Sequence, residues 1–129
     1  MGQIKIYGTQ ARLPARRDAL SDVLHGCVVD AFAYPPDKRI HRFFALAPED
    51  FRYPAGRSED YTILEIALFE GRSVEAKKHL YRLLYERFER ELGIAPVDLE
   101  IMLFETPRHD WGIRGVPGDE LGLDYRVDV

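Results

Sequence analysis

Tyr61-Thr62-Ile63-Leu64-Glu65-Ile66-Ala67-Leu68-Phe69-Glu70-Gly71-Arg72-Ser73 is the stretch on which the fold turns. Tyr61 to Phe69 reads as a strand, and Gly71-Arg72-Ser73 reads as the turn that ends it. Beyond the turn, Leu80, Leu83, Leu84 and Phe88 recur at the spacing of one helix face. Shifting the chain by sixty residues reproduces the pattern. Gln10-Ala11-Arg12 falls on Glu70-Gly71-Arg72, and Leu20, Val23, Leu24 and Val28 fall on the four helix positions. A strand pattern from Gln3 to Tyr7 precedes the first helix. Each helix is followed by a proline-marked break, Tyr34-Pro35-Pro36-Asp37 matching Ile94-Ala95-Pro96-Val97, and then by a further strand, Arg39 to Leu46 and Leu99 to Phe104.

Strand, helix, strand occurring twice predicts two tandem βαβ units with right-handed crossovers. The fold class is α/β (α+β): a four-stranded sheet with two helices on one face. The whole chain, 1–129, reads as one domain. Repeat one covers about 2–46, a connecting loop 47–60, repeat two about 61–105 and a tail 106–129, in which Asp124 to Val129 alternates as a short strand. Ile63, Ala67 and Phe69 alternate with Leu64, Ile66 and Leu68, so both sheet faces are expected to be largely apolar. Two helices cover only one face. The second predicts a homo-oligomer.

Composition narrows the function classes. Apolar residues make up 46% and charged residues 31% of the 129, which is the balance of a folded globule. A net charge of −4 and the lack of a basic stripe argue against nucleic acid. No run approaches the roughly 20 apolar residues of a membrane span, and no signal-peptide pattern opens the chain. Ile6 stands where a myristoylation signal wants Ser or Thr. With Cys27 the single cysteine, no internal disulfide forms, and a cytoplasmic location is the expectation. Cys27 falls on the core face of the first helix and reads as inert packing. His25, His41, His79 and His109 lack metal-ligand spacing, and the glycines at 112, 115, 118 and 122 lack the context of a phosphate cradle. Neither metal nor cofactor is expected. Glu86 to Glu91 reads as a solvated helix face with Phe88 turned inward.

The repeated βαβ unit, the Gly71-Arg72-Ser73 turn and the segment Asp110-Trp111-Gly112-Ile113-Arg114-Gly115 together resemble the tautomerase superfamily, and the resemblance covers nearly the whole chain. In layout the chain is most similar to the malonate semialdehyde decarboxylase and cis-3-chloroacrylic acid dehalogenase branches, fused copies of the short 4-oxalocrotonate tautomerase unit. Val29-Asp30-Ala31-Phe32 through Pro35-Pro36 and Glu89 to Asp98 are similar to the decarboxylases. The resemblance implies the tautomerase/MIF-like fold and a homotrimer with strands inside and helices outside. It also implies a site at the start of the first strand and a small carboxylate ligand.

The resemblance further implies an amino-terminal proline as base, acid or nucleophile, and Gly2 occupies its position, ten residues before Arg12. Gly2 is small, so removal of Met1 is sterically permitted and would expose an amine with a pKa of about 7.7–8.0. With Met1 kept, the amine would sit up to ~3.5 Å further along, and ~1 Å of misplacement can cost about a hundredfold in rate. The other reading of Gly2 is the start of a strand and nothing more.

Arg72 matches the family arginine that holds a substrate carboxylate, for which a planar guanidinium is suited. Its bland alternative is an exposed pair with Glu70. Glu70 itself stands where the decarboxylases have a second arginine, and Lys38 where they have an aspartate. With three of four positions changed, decarboxylation or dehalogenation by the family's usual route is not expected. Arg39, His41 and Arg42 fall on the second strand, with Arg39, His41 and Phe43 on one face and Ile40, Arg42 and Phe44 on the other. His41 is a candidate acid or base, against the plainer reading of a satisfied structural histidine. Trp111 reads as an apolar wall, of a ligand pocket or of a subunit contact.

Two functions remain in view. One is a tautomerase-like isomerase or lyase with Gly2 or His41 handling the proton, and Arg72, Arg39, Lys38, Glu70 and Trp111 around the ligand. The other is a non-catalytic trimer that binds a small acid or a protein partner.

Overall fold

The computed structural model describes residues 2–129; Met1, and the question of its removal, lies outside the described residues. The elements in chain order are β1 (Gly2–Thr9), α1 (Leu13–Phe32), β2 (His41–Leu46), β3 (Thr62–Phe69), α2 (Val74–Leu92), β4 (Leu99–Thr106) and a small hairpin of β5 (Gly112–Ile113) and β6 (Val116–Pro117). The main sheet has the order β2-β1-β3-β4. β1 runs parallel to β2, β3 parallel to β4, and the two halves meet antiparallel at β1 and β3. Two βαβ units thus sit back to back, both helices on one face.

Local chemistry places the ends. Ser73 caps α2 by accepting a hydrogen bond from the Ala76 N–H, and Gly93, at φ 70°, closes it with an N–H to the Glu89 carbonyl. α1 ends instead on Ala33 in the left-handed region, immediately before Tyr34-Pro35-Pro36 forbids further helix. Leu20, Leu24, Cys27 and Val28 of α1 and Leu80, Leu84 and Phe88 of α2 pack on Ile4, Ile6, Leu64, Ile66 and Leu68 of the central strands. Each such fully buried side chain stabilises the fold by about 1.5–3 kcal/mol relative to exposure.

The opposite face is open in the monomer and mixed in character. Tyr7 stacks on Phe44 at 4.8 Å, and Met102 and Phe104 are 56% and 45% exposed. Lys5 lies across from Glu65 in the ladder, so a charged pair interrupts the apolar face expected there. Phe69 belongs to neither open surface: it is fully buried beneath Trp111, whose ring meets it edge-on at 5.1 Å.

Two expectations are corrected. The second strand begins at His41 rather than Arg39, because the residues before it still follow the proline-rich turn, and the bond that the Ile40 carbonyl accepts from the Ile4 N–H opens the ladder. Asp124 to Val129 forms no strand. Its hydrogen-bond partner is a side chain, with Ser73 Oγ donating to the Val129 carbonyl at 2.9 Å, and the segment packs back on its own chain. Val127 lies so close to Gly71, at φ 133°, that a Cβ there would stand 3.2 Å from the Val127 carbonyl.

The connecting loop is anchored. Asp98 is buried and accepts from the Ser58 N–H at 2.8 Å and the Ser58 hydroxyl at 2.6 Å. Removing a buried charged acceptor strands its donors, so Asp98→Ala is expected to lower stability by about 1.5–3 kcal/mol in urea unfolding, with Asp98→Asn losing less.

Candidate active site

Antiparallel pairing sets the N-terminal end of β1 beside the C-terminal end of β3, Gly2 opposite Leu68, and the turn after β3 delivers Arg72 to the same place. The last turns of α1 add His25, Val28 and Phe32. The proline-marked break adds Tyr34 and Lys38, and the approach to β2 adds Ile40 and His41. These side chains, with Gly2 and Arg72, line one narrow cavity of about 20 Å³.

Arg72 is 5% exposed. One Nη donates to the Phe69 carbonyl at 3.1 Å, and the guanidinium stands over the Phe32 ring with its carbon 5.1 Å from the centroid. Among the described residues its Nε makes no well-formed hydrogen bond, although the Tyr125 and Tyr34 hydroxyls lie near, and no carboxylate forms an ion pair with it. Glu105 is engaged by Lys77. Glu70 points to solvent. Burial lowers the Arg72 pKa, but from so high a value that it stays cationic near neutrality. Its repeat mate behaves differently. Arg12 is exposed and lies 3.6 Å from Glu59 and 3.8 Å from Asp60. Of two arginines placed alike by the repeat, one is neutralised in solvent by its own chain and the other is buried with its charge unmatched.

The Gly2 N–H donates to Tyr34 Oη at 2.7 Å. Tyr34 is buried, which raises its pKa and keeps the phenol protonated. A Cβ at Gly2 would lie 3.5 Å from that hydroxyl and 3.7 Å from the Ala67 carbonyl, ordinary contact distances, so the site has room for a side chain at this position.

His41 shares a hydrogen bond of 2.7 Å through Nδ1 with Ser21 Oγ, which also receives one from Arg39 at 3.3 Å. Burial, and next the Arg39 charge, bring the His41 pKa down to about 4. It is therefore neutral at pH 7. His25 Nε2 donates to the Pro36 carbonyl at 2.8 Å, since that oxygen can only accept.

The other candidates from sequence lie at different distances from the cavity. Lys38 lines it, 3.6 Å from Asp124 and with its ammonium 5.9 Å from the Tyr125 centroid. Arg39 turns outward to Asp22 at 2.6 Å and reaches the site only through Ser21 and His41. Trp111 stands behind Phe69, its indole N–H held by Thr106 Oγ1 at 2.6 Å, and faces a shallow depression with Gly112 and Val116. Tyr34, His25, Phe32 and Tyr125 were not singled out from sequence. For Tyr34 the available signal was an aromatic residue immediately before Pro35-Pro36 at the end of a helix.

A larger cavity of about 330 Å³ lies at the repeat-related end of the sheet, lined by Gln10, Phe51, Tyr53 and Glu59. It holds no buried, unmatched charge, and size alone does not make it the site. Among the described residues no group of three or more His, Cys, Asp or Glu is placed to hold a metal. No helix among the described residues is long and apolar enough to cross a membrane.

Comparison with known proteins agrees with the geometry. Residues 38–114 match the family model described as tautomerase enzyme. The chain is 35% identical over 97 residues to the probable tautomerase YrdN of Bacillus subtilis (strain 168), covering 71% of this chain and 74% of that protein. Its structure is similar to that of malonate semialdehyde decarboxylase, with a TM-score of 0.77, 29% identity and coverage of 86% and 89% of the two chains. It also shares its fold with a fused 4-OT solved as an asymmetric trimer, at a TM-score of 0.81, 22% identity and coverage of 94% and 99%.

A histidine whose pKa is lowered by folding is favoured in its neutral form, so the unfolded chain binds the extra proton first and stability falls with acidity. The thermal midpoint is expected to drop as pH falls from about 6.5 to about 4. In His41→Gln, which keeps a polar group against Ser21, the drop over that window should be shallower; an unchanged slope would mean His41 is not held neutral.

Proposed function

The chain belongs to the tautomerase family, and from that premise we propose that it binds a small oxo or enol carboxylate and interconverts its tautomers at the Gly2 end of β1. The observation that carries this reading is Arg72, a buried guanidinium with an idle Nε and no carboxylate of its own. A buried charge is costly unless paired, and a ligand carboxylate is the partner its planar fork fits.

The proton is assigned to the Gly2 nitrogen once Met1 has been removed. That amine, with an ordinary pKa of about 7.7–8.0, accepts the enol hydroxyl proton and returns a proton to the neighbouring carbon, completing the conversion to the keto form. Tyr34, 2.7 Å away, orients the nitrogen. His41, pulled down to about 4, is too weak a base near neutrality to take this part. It serves as a neutral hydrogen-bonding wall. A second reading, a non-catalytic acid-binding protein, is favoured by one feature: while Met1 is attached, the Gly2 nitrogen is an amide and cannot act as a base.

The two are separated by following enol-to-keto conversion of phenylenolpyruvate while mass spectrometry of protein from its native source reports the state of Met1. The parent is expected to be active. Arg72→Gln should lose about a hundredfold in kcat/KM, the scale of removing one oriented charged donor, and Gly2→Pro should retain activity. Activity confined to Gly2→Pro would leave the binding reading standing alone.

We assign a homotrimer to the protein. The open face with Phe44, Met102 and Phe104 wants cover, and the fused 4-OT of the same fold is a trimer. The single, buried Cys27 suits a cytoplasmic location. Light scattering should give about three times the 14.9 kDa chain mass, and a stable monomer at micromolar concentration would overturn the assignment.

A further inference from the structure

The site contains a second idle donor beside Arg72, and it comes from the last residues of the sequence. Tyr125 packs edge-on against Tyr34 with ring centroids 5.3 Å apart, on the wall that carries Lys38. Its hydroxyl is buried beside the Tyr34 hydroxyl and the Arg72 guanidinium, and among the described residues neither it nor Arg72 Nε makes a well-formed hydrogen bond. A buried phenol ordinarily finds a partner, and a buried donor left without one costs stability. Two such ill-satisfied groups side by side are explained together by a ligand that satisfies both.

The segment that carries Tyr125 is docked by contacts of a reversible kind. Ser73 Oγ donates to the Val129 carbonyl, Lys38 lies 3.6 Å from Asp124, and the Val127 carbonyl rests on side-chain-free Gly71. Asp124 is mostly exposed, so its ion pair adds little. The cavity measures about 20 Å³, room for roughly one water and not for an oxo acid, so its surroundings must yield to a ligand. The segment does not itself line the cavity but packs on two residues that do, Tyr34 and Lys38.

We propose that Asp124–Val129 is a strap that opens to admit the oxo carboxylate and closes on it, and that Tyr125 Oη then donates to the ligand beside Arg72, making Tyr125 a specificity residue of the site. The proposal rests on the reading of Arg72 as the carboxylate anchor. Burial raises the Tyr125 pKa, so the hydroxyl remains a donor throughout the neutral range. As a donor it is suited to an anionic or carbonyl oxygen.

Calorimetric titration with benzoylformate, a 2-oxo carboxylate with no transferable α-proton, tests the strap without relying on turnover. Tyr125→Phe should weaken binding about tenfold, the loss of one hydrogen bond to a charged group, while leaving the thermal midpoint of the free protein unchanged or slightly raised, since the deleted hydroxyl made no well-formed hydrogen bond. A chain ending at Leu123 should lose at least as much affinity and bind and release the probe faster in stopped-flow. Phenylacetamide, which lacks the charge, should not bind any of the proteins. If Tyr125→Phe binds like the parent while Arg72→Gln does not, the strap is refuted and the anchor survives. If Arg72→Gln also binds like the parent, the anchor reading falls and the strap with it. A Tyr125→Phe protein with a lowered midpoint and unchanged affinity would make Tyr125 a packing residue and refute the proposal.

Discussion

The antiparallel pairing of β1 with β3 is the constraint from which the rest of the molecule follows. Residues on a strand alternate faces with a period of two, so a slip of one residue would turn Ile4, Ile6, Leu64 and Ile66 away from the helices and bring Lys5 and Glu65 under them. The cost of burying that pair of charges fixes the register. A fixed register in turn sets Gly2 opposite Leu68, two residues before the turn that presents Arg72. The site is thus a consequence of packing on the far side of the same strands.

The repeat gives each end of the sheet the same starting materials and the chain treats them differently. At the Thr9 end, the connecting loop brings Glu59 and Asp60 to Arg12 and buries Asp98 on Ser58, so every charge named there has a partner. At the Gly2 end the corresponding acids are absent, and Arg72 has only one carbonyl and an aromatic face. A loop of this length brings an acidic residue to an arginine at little cost, as the first end shows. That the second end leaves its arginine buried and unmatched is a specific feature of this sequence rather than a limitation of the fold.

Much of this was legible in the sequence, for a physical reason. Helices and strands impose periods, so the sixty-residue repeat, the inward stripes of both helices and the single-faced cover were all readable from spacing. Arg72 was singled out by its match to an arginine of the family it resembles, and the structure places it, buried, at the Gly2 end of β1. Arg39 was placed on a strand it only approaches, because proline-rich turns shift boundaries without altering the apolar pattern that follows. Tyr34 and Tyr125 were invisible as a pair: they lie far apart in the chain, and one belongs to a segment without regular structure. Such a segment carries no period to extrapolate, and its alternation from Asp124 to Val129 imitated a strand whose partner does not exist in this chain.

The arrangement of stabilities in the molecule bears on how the site works. Asp98 and Ser58 pin the connecting loop with two short hydrogen bonds, and the helices are buried along their whole inner stripe. By contrast the Asp124–Val129 segment is held by one hydroxyl, one exposed ion pair, the contact of Val127 with Gly71 and the half-buried Tyr125 and Val129 at the edge of the core. Local opening draws on the regions with the fewest buried contacts, so the opening proposed for this segment would leave the sheet intact. The unmatched guanidinium favours any rearrangement that brings it an anion. In the free protein that tendency is unsatisfied, and in the proposed mode of binding a carboxylate entering beside the strap would relieve it. The unmatched charge at Arg72 and the looser attachment of the neighbouring segment are complementary on that proposal: one would supply the driving force for binding and the other the path.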